Sequence, residues 1–371
     1  MNVLVYGLGA VGKPIFSLFG EKFGDVNMAF VSRNKYSAEP IINDMQFASY
    51  FCKPTIHVEY FEGDATDLPR NLEIFEKTNP DIILNTASHI PWWKAIELTK
   101  KLNIGHVEFG AWIPFNLAPI FGIVKALEKT GRKIPVISAA FPDSVNVAIY
   151  NSTGKILTGC GNVDLIIPLI KKLTIERFNL SENNIIDVSV IGHHYQISKA
   201  RLGGLGLKTE FPHIDILIDK ISLPNFEINR ILQSLPKVKR PSSFIDRSSL
   251  VAATILEKIS WLFIDGSYTG HCSGINGLVG GYPVKVINKS IELNLPKSLP
   301  IKIAKKLNEE GQRKDGIEKI DDKGVIFFTA EVIEFYRKLG IDLTYGLPTE
   351  DSIDFCVEVS KIIEERIANF K

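Results

Sequence analysis

Over the first 150 residues, short apolar runs at 3–6, 26–31, 56–60, 82–85, 106–109 and 136–139 alternate with stretches in which apolar residues recur at helical spacing, at 71–78, 91–102 and 115–130. Short apolar-rich runs of this length predict strands. Their alternation with amphipathic segments predicts a parallel sheet covered by helices on both sides. In a sheet of this kind ligands collect at the carboxyl ends of the strands, which singles out Thr86-Ala87-Ser88 and Phe141-Pro142-Asp143. Beyond residue 150 the rhythm changes. A strand ends at Gly192, a helical run covers 249–263, a hairpin lies within 274–295, and a helix is expected at 297–310. The pattern predicts an α+β domain over 151–312. After it come a strand at 324–328 and helices at 330–339 and 351–368, an extension that can cover the second domain, pack on the first, or form a subunit contact.

The first strand runs into Gly7-Leu8-Gly9-Ala10-Val11-Gly12, and Ile15, Leu18 and Phe19 then continue at helical spacing. Strand, GxGxxG and helix in that order form the dinucleotide fingerprint. Gly7 makes the turn, Gly9 lets a pyrophosphate approach the backbone, and Gly12 lets helix and strand pack closely. The fold expected is α/β, with an N-terminal Rossmann doubly wound parallel sheet over 1–150 and a C-terminal α+β catalytic domain. Gly7, Gly9, Ala10, Val11 and Gly12, with Thr86 and Ala87 at the facing strand end, are the candidate cofactor-binding residues. Where an NAD-binding chain normally carries an acid for the adenine ribose, this one has Ser32-Arg33-Asn34-Lys35. A carboxylate there would repel a 2′-phosphate, whereas a hydroxyl and a guanidinium attract it. NADP is therefore the expected cofactor, with NAD second. Gly63-Asp64-Ala65-Thr66-Asp67 reads as a turn or as an adenine contact.

Composition narrows the class. The chain has 371 residues and a net charge of +1, long enough for two domains with a cleft between them. A neutral balance gives no electrostatic reason to expect nucleic acid or an anionic membrane as partner. Cys52, Cys160, Cys272 and Cys356 form no CxxC pair, which argues against a disulfide framework or a structural zinc site and suits a reducing compartment. No basic leader precedes the first strand, and no uninterrupted apolar stretch approaches bilayer length. A cytoplasmic protein acting on a small molecule, without a resident metal, is expected.

Two later segments carry the candidate chemistry: Gly159-Cys160-Gly161-Asn162-Val163-Asp164 and Ile191-Gly192-His193-His194-Tyr195. A carboxylate that orients an imidazole lets the ring exchange a proton with a substrate oxygen. These segments, Asp44-Met45-Gln46-Phe47-Ala48-Ser49, Asn116 with the run from Pro119 to Lys125, Phe141-Pro142-Asp143-Ser144-Val145-Asn146, and Gly274 to Val286 occur in an order that resembles the lactate/malate dehydrogenase family. The resemblance covers about residues 1–312. It implies His194 as proton donor or acceptor, Asp164 as its orienter, His193 as the alternative ring, Asn146 on the substrate carbonyl or the nicotinamide ribose, and a homo-oligomer. The activity implied is NADP-dependent interconversion of an alcohol and a ketone in a small metabolite.

The chain departs from the family at the groups that grip a substrate carboxylate. Ile167 stands where an arginine is expected, and residues 88–115 contain no arginine, only Lys94, Lys100, Lys101, His89 and His106. Lys199, Arg201 and Arg247 are the candidate replacements. Trp92, Trp93 and Trp112 form either a core plug or a lid, and Gly203-Gly204-Leu205-Gly206 a mobile turn. Two other functions fit the same residues: a nucleotide-binding sensor or non-catalytic partner, and an NAD-dependent, metal-assisted glycosidase-like enzyme in which Cys160 and His193 or His194 hold a divalent ion.

Overall fold

The computed structural model describes residues 1–19, 23–52, 55–102, 107–202, 210–241 and 243–369. The chain opens with β1 (Asn2–Tyr6), α1 (Gly12–Leu18), β2 (Val26–Ser32), α2 (Lys35–Ser49), β3 (Ile56–Glu62), α3 (Leu68–Thr78), β4 (Ile82–Asn85), α4 (Trp92–Leu102), α5 (Ile113–Thr130), β5 (Val136–Ser138), α6 (Ser144–Thr153) and β6 (Thr158–Gly159). The six strands form one parallel sheet in the order β3-β2-β1-β4-β5-β6. The order reverses between β1 and β4, where Val3 lies between Met28 and Ile82. Both faces of β1 are buried: Leu4 and Tyr6 join one core, Val3 and Val5 the other. Alternate side chains of one strand thus support two helical layers.

The run 106–109 is not a strand among the described residues. Phe109–Trp112 forms a short 3-10 turn that leads into α5. The Gly110 N–H that a sheet neighbour would have taken is donated to the Asp315 carbonyl at 2.7 Å. The sixth position in the sheet is filled by β6, so the parallel-sheet unit reaches past residue 150. Phe109–Thr130 is, contrary to expectation, long and apolar enough to cross a membrane by length and composition, but nearly all of it is buried within the fold. It is the central helix of a core rather than a surface one.

The second half contains α7 (Ile167–Phe178), β7 (Ile186–Ile191), α8 (His194–Arg201), β8 (His213–Ile218), β9 (Ile221–Ser222), α9 (Asn225–Ser234), α10 (Phe244–Phe263), β10 (Ser267–Ser273), β11 (Gly281–Ile287), β12 (Ser290–Leu293) and α11 (Ile301–Lys314). Two antiparallel sheets, β7-β8-β9 and β10-β11-β12, are joined by a bridge between Gly192 and Gly281. Helix α10 returns to the first domain, placing Ala252, Ile255 and Ile259 in the same core as Ile15 and Phe16.

The extension folds as β13 (Ile317–Ile320), β14 (Val325–Phe328), α12 (Ala330–Lys338), β15 (Leu347–Pro348) and α13 (Ser352–Asn369). Of its three possible roles, it takes the second. Helix α13 packs along α5, Tyr336 and Phe355 share a core with Leu4 and Ile83, and the Tyr336 hydroxyl donates to the Ala111 carbonyl at 2.5 Å.

Candidate functional site

At the point where the strand order reverses, the loop after β1 faces the end of β4. Gly7 has φ +100°, a conformation that residues with a Cβ rarely adopt, and a Cβ there would lie 2.7 Å from Thr86 Oγ1. A Cβ on Gly12 would lie 2.0 Å from the Gly7 carbonyl oxygen. Internal packing therefore demands both glycines. Gly9 differs: no atom lies within 4 Å of the place its Cβ would occupy, so its bareness opens space toward solvent. That is the opening a pyrophosphate needs, with Ala10 and Val11 half-buried beside it. The Thr86 hydroxyl lies 2.9 and 3.0 Å from the Tyr6 and Gly7 carbonyls and ties the loop to β4.

At the end of β2, Asn34 turns out to cap α2, its side-chain oxygen accepting the Ser37 N–H at 3.1 Å. The Ser32 carbonyl accepts from Gly63 N and from the Tyr60 hydroxyl. Arg33 remains half-exposed at the rim, donating to the His89 carbonyl at 3.0 Å and lying 3.8 Å from Asp64.

The histidine pair sits where β7 passes into α8. His193 precedes the helix, and its N–H donates to Gln196 Oε1 at 2.7 Å while Gln196 Nε2 donates to the Leu307 carbonyl at 2.9 Å. This turn directs both rings inward. His194 Nδ1 is 3.1 Å from Asp315 Oδ2, its Nε2 is 3.1 Å from Ser198 Oγ, and its ring meets Phe141 and Phe109 edge-on at 4.3 and 5.2 Å. Phe141 follows β5, so the ring stands at the carboxyl edge of the parallel sheet.

His193 is fully buried, with Nε2 3.3 Å from Ser144 Oγ, and Ser144 donates in turn to Gln312 Oε1 at 2.9 Å. The serine's one proton goes to Gln312, so its oxygen accepts from His193 Nε2–H, which places a ring proton at Nε2. Burial lowers the His193 pKa to about 4, Asp315 acting against that trend and His194 with it. Nδ1 of His193 and Oδ1 of Asp315 are buried without hydrogen-bond partners. Asp143 accepts from Asn162 Nδ2. Burial raises its carboxyl to about 6 against the pull of His194 and Asn162.

The expected pairing of His194 with Asp164 is replaced. Asp164 Oδ1 accepts from Lys258 Nζ at 3.1 Å and Oδ2 from the Gly161 N–H at 3.0 Å. The 3-10 turn Asn162–Leu165 curls this carboxylate back on its own backbone. Lys258, fully buried on α10, also meets Glu257 at 2.9 Å and lies 4.0 Å over the Trp261 ring. Burial works against its ammonium, but the Asp164 and Glu257 carboxylates outweigh burial and hold the amine above its ordinary value. Asp315, at the end of α11, supplies the carboxylate for His194 instead. Its position is set by close backbone contact: a Cβ on Gly110 would lie 2.3 Å from the Asp315 carbonyl oxygen, and Gly316 follows at φ +96°.

Asn146 is also corrected. It is buried, donates to the Ser273 carbonyl at 3.3 Å, and is packed against Gly159 and Gly274. Ser144, on the same helix, faces His193, and a residue two further on points about 200° away.

Trp112 is a core plug against Phe115 and Phe335. Lys199 holds its ammonium 5.2 Å over the Tyr195 ring. His106 and Gly203-Gly204-Leu205-Gly206 lie outside the described residues. The Cys160 thiol faces the Ser138 carbonyl at 3.4 Å, and among the described residues no group of three or more His, Cys, Asp or Glu is placed to hold a metal ion.

No family model and no curated protein matches the chain by sequence. Solved structures match by fold. A lactate dehydrogenase, MGS-M5, from a Medee basin deep-sea metagenome library superposes with TM-score 0.58 at 13% identity, over 86% of this chain and 98% of its own. Cryptosporidium parvum malate dehydrogenase gives 0.56 at 16% identity, over 84% and 95% of the two chains. The Cryptosporidium parvum lactate dehydrogenase complexed with lactic acid and nicotinamide adenine dinucleotide gives 0.59 at 15% identity, with the same coverage, 84% and 95%. The chain thus has the fold of lactate and malate dehydrogenases.

Proposed function

We propose that the protein is a nicotinamide-dependent oxidoreductase that interconverts a hydroxyl and a carbonyl group on a small substrate. The observation that carries this reading is His194, held between a buried carboxylate and two aromatic rings at the carboxyl edge of a dinucleotide-type sheet. When bound, the dinucleotide supplies or takes up the hydride. Gly7, Gly9, Ala10, Val11 and Gly12, with Thr86 and Ala87, are the residues that would hold it. His194 holds the proton. Its Nδ1–H donates to Asp315, which fixes the ring and stabilises its charged form, and Nε2 faces the Ser198 hydroxyl, a group that can both donate and accept. A proton at Nε2 can therefore pass to or from a substrate oxygen without disturbing the Asp315 bond. His193, neutral and hydrogen-bonded to Ser144, supports the site without taking part in the transfer.

We assign NADP as first cofactor and NAD as second, on the missing acid after β2 and the half-exposed Arg33 guanidinium. Asp64, 3.8 Å away, restrains that preference. Arg33→Glu is expected to weaken NADPH binding by about 10- to 100-fold relative to NADH, the worth of one charged hydrogen bond, read by nicotinamide fluorescence. An unchanged ratio removes Arg33 from cofactor choice.

His194→Asn is expected to keep cofactor affinity and lose about 10²- to 10⁴-fold in turnover, measured with a panel of 2-oxo acids, ketones and imines. Full turnover by the variant would strip His194 of its role. Tight NADPH binding with no turnover of any panel member by the unaltered protein would favour the sensor reading.

A further inference from the structure

The C-terminal extension reaches Arg33 through one histidine. His89 follows β4, directly after Thr86-Ala87-Ser88, and is held from several sides. Its N–H donates to the Phe115 carbonyl of α5 at 2.7 Å, and its ring stacks on Phe115 with centroids 6.1 Å apart. Its Nε2 lies 3.0 Å from the Ser360 hydroxyl of α13, and its carbonyl accepts from Arg33 Nη2 at 3.0 Å. The next residue, Ile90, packs on the core that Phe355, Val359 and Ile363 of α13 share with α5.

Arg33 stands between two acceptors. Asp64 Oδ1 takes the Thr66 N–H and hydroxyl at 2.9 and 2.8 Å, while its Oδ2 lies 3.8 Å from Arg33 Nη1. That separation is longer than a charged hydrogen bond, whereas the bond to the His89 carbonyl is fully formed. A guanidinium has several N–H donors, so one spent on a neutral carbonyl leaves the group charged and its fork open to solvent. The same guanidinium closed onto Asp64 becomes half of a neutral pair, which attracts a phosphate far less than a free cation does. The position of the His89 carbonyl therefore sets how much positive charge the rim beside β2 presents. A serine hydroxyl inside a helix commonly turns back to the carbonyl four residues before it. The hydroxyl of Ser360 instead meets an imidazole 271 positions away in the chain.

We propose that Ser360 and His89 are positioning residues for Arg33, and that the extension thereby sets which dinucleotide the first domain prefers. This rests on the reading of Arg33 as the group that attracts the 2′-phosphate. It deepens that reading, because the preference then depends on α13 and the segment after β4 as well as on the end of β2. With the Ser360 contact gone, His89 retreats and Arg33 closes on Asp64.

The test is nicotinamide fluorescence titration of the whole protein with NADPH and, separately, with NADH, without substrate. Ser360→Ala is expected to weaken NADPH relative to NADH by about two- to tenfold, the worth of one neutral hydrogen bond. His89→Phe, which keeps an aromatic ring against Phe115 but loses the ring nitrogens, should do the same. Ser360→Thr keeps a hydroxyl and should leave the ratio as it is in the unaltered protein. In an Arg33→Glu background Ser360→Ala should change the ratio no further, because the group it positions is gone. A ratio shifted by Arg33→Glu but untouched by Ser360→Ala and His89→Phe overturns the tether and leaves the Arg33 reading standing. Equal weakening of both cofactors, or a lower unfolding temperature with the ratio intact, marks the contact as structural and overturns it too. A further shift in the Arg33→Glu background would show that Ser360 acts by another route. A ratio that Arg33→Glu does not move overturns both readings.

Discussion

Asp315 is a positioning residue: it holds His194 and has no exposed surface of its own. Asp315→Asn keeps the shape and an acceptor for His194 Nδ1–H but removes the charge that stabilises the protonated ring. Turnover is expected to fall by about 10²- to 10⁴-fold with KM and cofactor affinity unchanged. A loss of cofactor affinity in step with turnover would assign Asp315 to structure alone.

His193 yields a second expectation at this scale. Its folded pKa is about 4, below the 6.5 of a free imidazole, so between those values the unfolded chain binds a proton that the folded one refuses. Stability must fall as pH drops through that window, by about 3 kcal/mol in total. The measure is the unfolding free energy of the unaltered protein minus that of His193→Gln, from pH 7 to pH 4. A flat difference would contradict a ring buried in its neutral form.

The histidines were legible because a strand end followed by Gly-His-His is a local pattern. Their carboxylate was not. Asp315 lies 121 residues beyond His194, whereas Asp164 offered a carboxylate at a familiar spacing. Spacing cannot reveal that a buried ammonium elsewhere already claims that carboxylate.

At the scale of elements, that ammonium decides how α10 is anchored. Lys258 interrupts an apolar helix face, and without a structure a single lysine there reads as a surface charge. In the fold it clamps α10 to the turn that carries Asp164. Lys258→Met leaves the buried Asp164 carboxylate with only the Gly161 N–H and is expected to cost about 3–5 kcal/mol, as breaking buried pairs does. Combining it with Asp164→Asn should restore most of that loss. The check is denaturant unfolding of both single variants and the double. Additive losses would show that the two groups do not act as a pair.

The strands of the parallel sheet were readable because burial writes short runs rich in apolar residues, unbroken at 82–84 and alternating with His57 and Glu59 at 56–60. The run at 106–109 wrote the same signature for a different reason, since Phe109 packs on Phe141 and His194 and Gly110 bonds across to Asp315. Apolar content reports burial. It does not report which neighbour takes the backbone hydrogen bonds.

For the molecule as a whole, the extension turns the first domain from a two-layer covering into a deeper core. An α5 apolar on every side makes sense only if something covers the face turned away from the sheet, and α13 is what covers it. The extension also holds the segment 315–317 against 108–112, so the last strands and helices brace the carboxylate that orients His194. A chain ending at Gly316 keeps Asp315 but uncovers that core and loses the Tyr336 bond to Ala111. The apolar surface released far exceeds the few hundred Å² a soluble monomer tolerates, so the shortened chain is expected to aggregate or to lose cooperative unfolding. Size-exclusion chromatography with circular dichroism over a thermal ramp would show it. A monomer that melts at the temperature of the full chain would mean that α5 finds its cover elsewhere, and that the brace on Asp315 comes from the catalytic half alone.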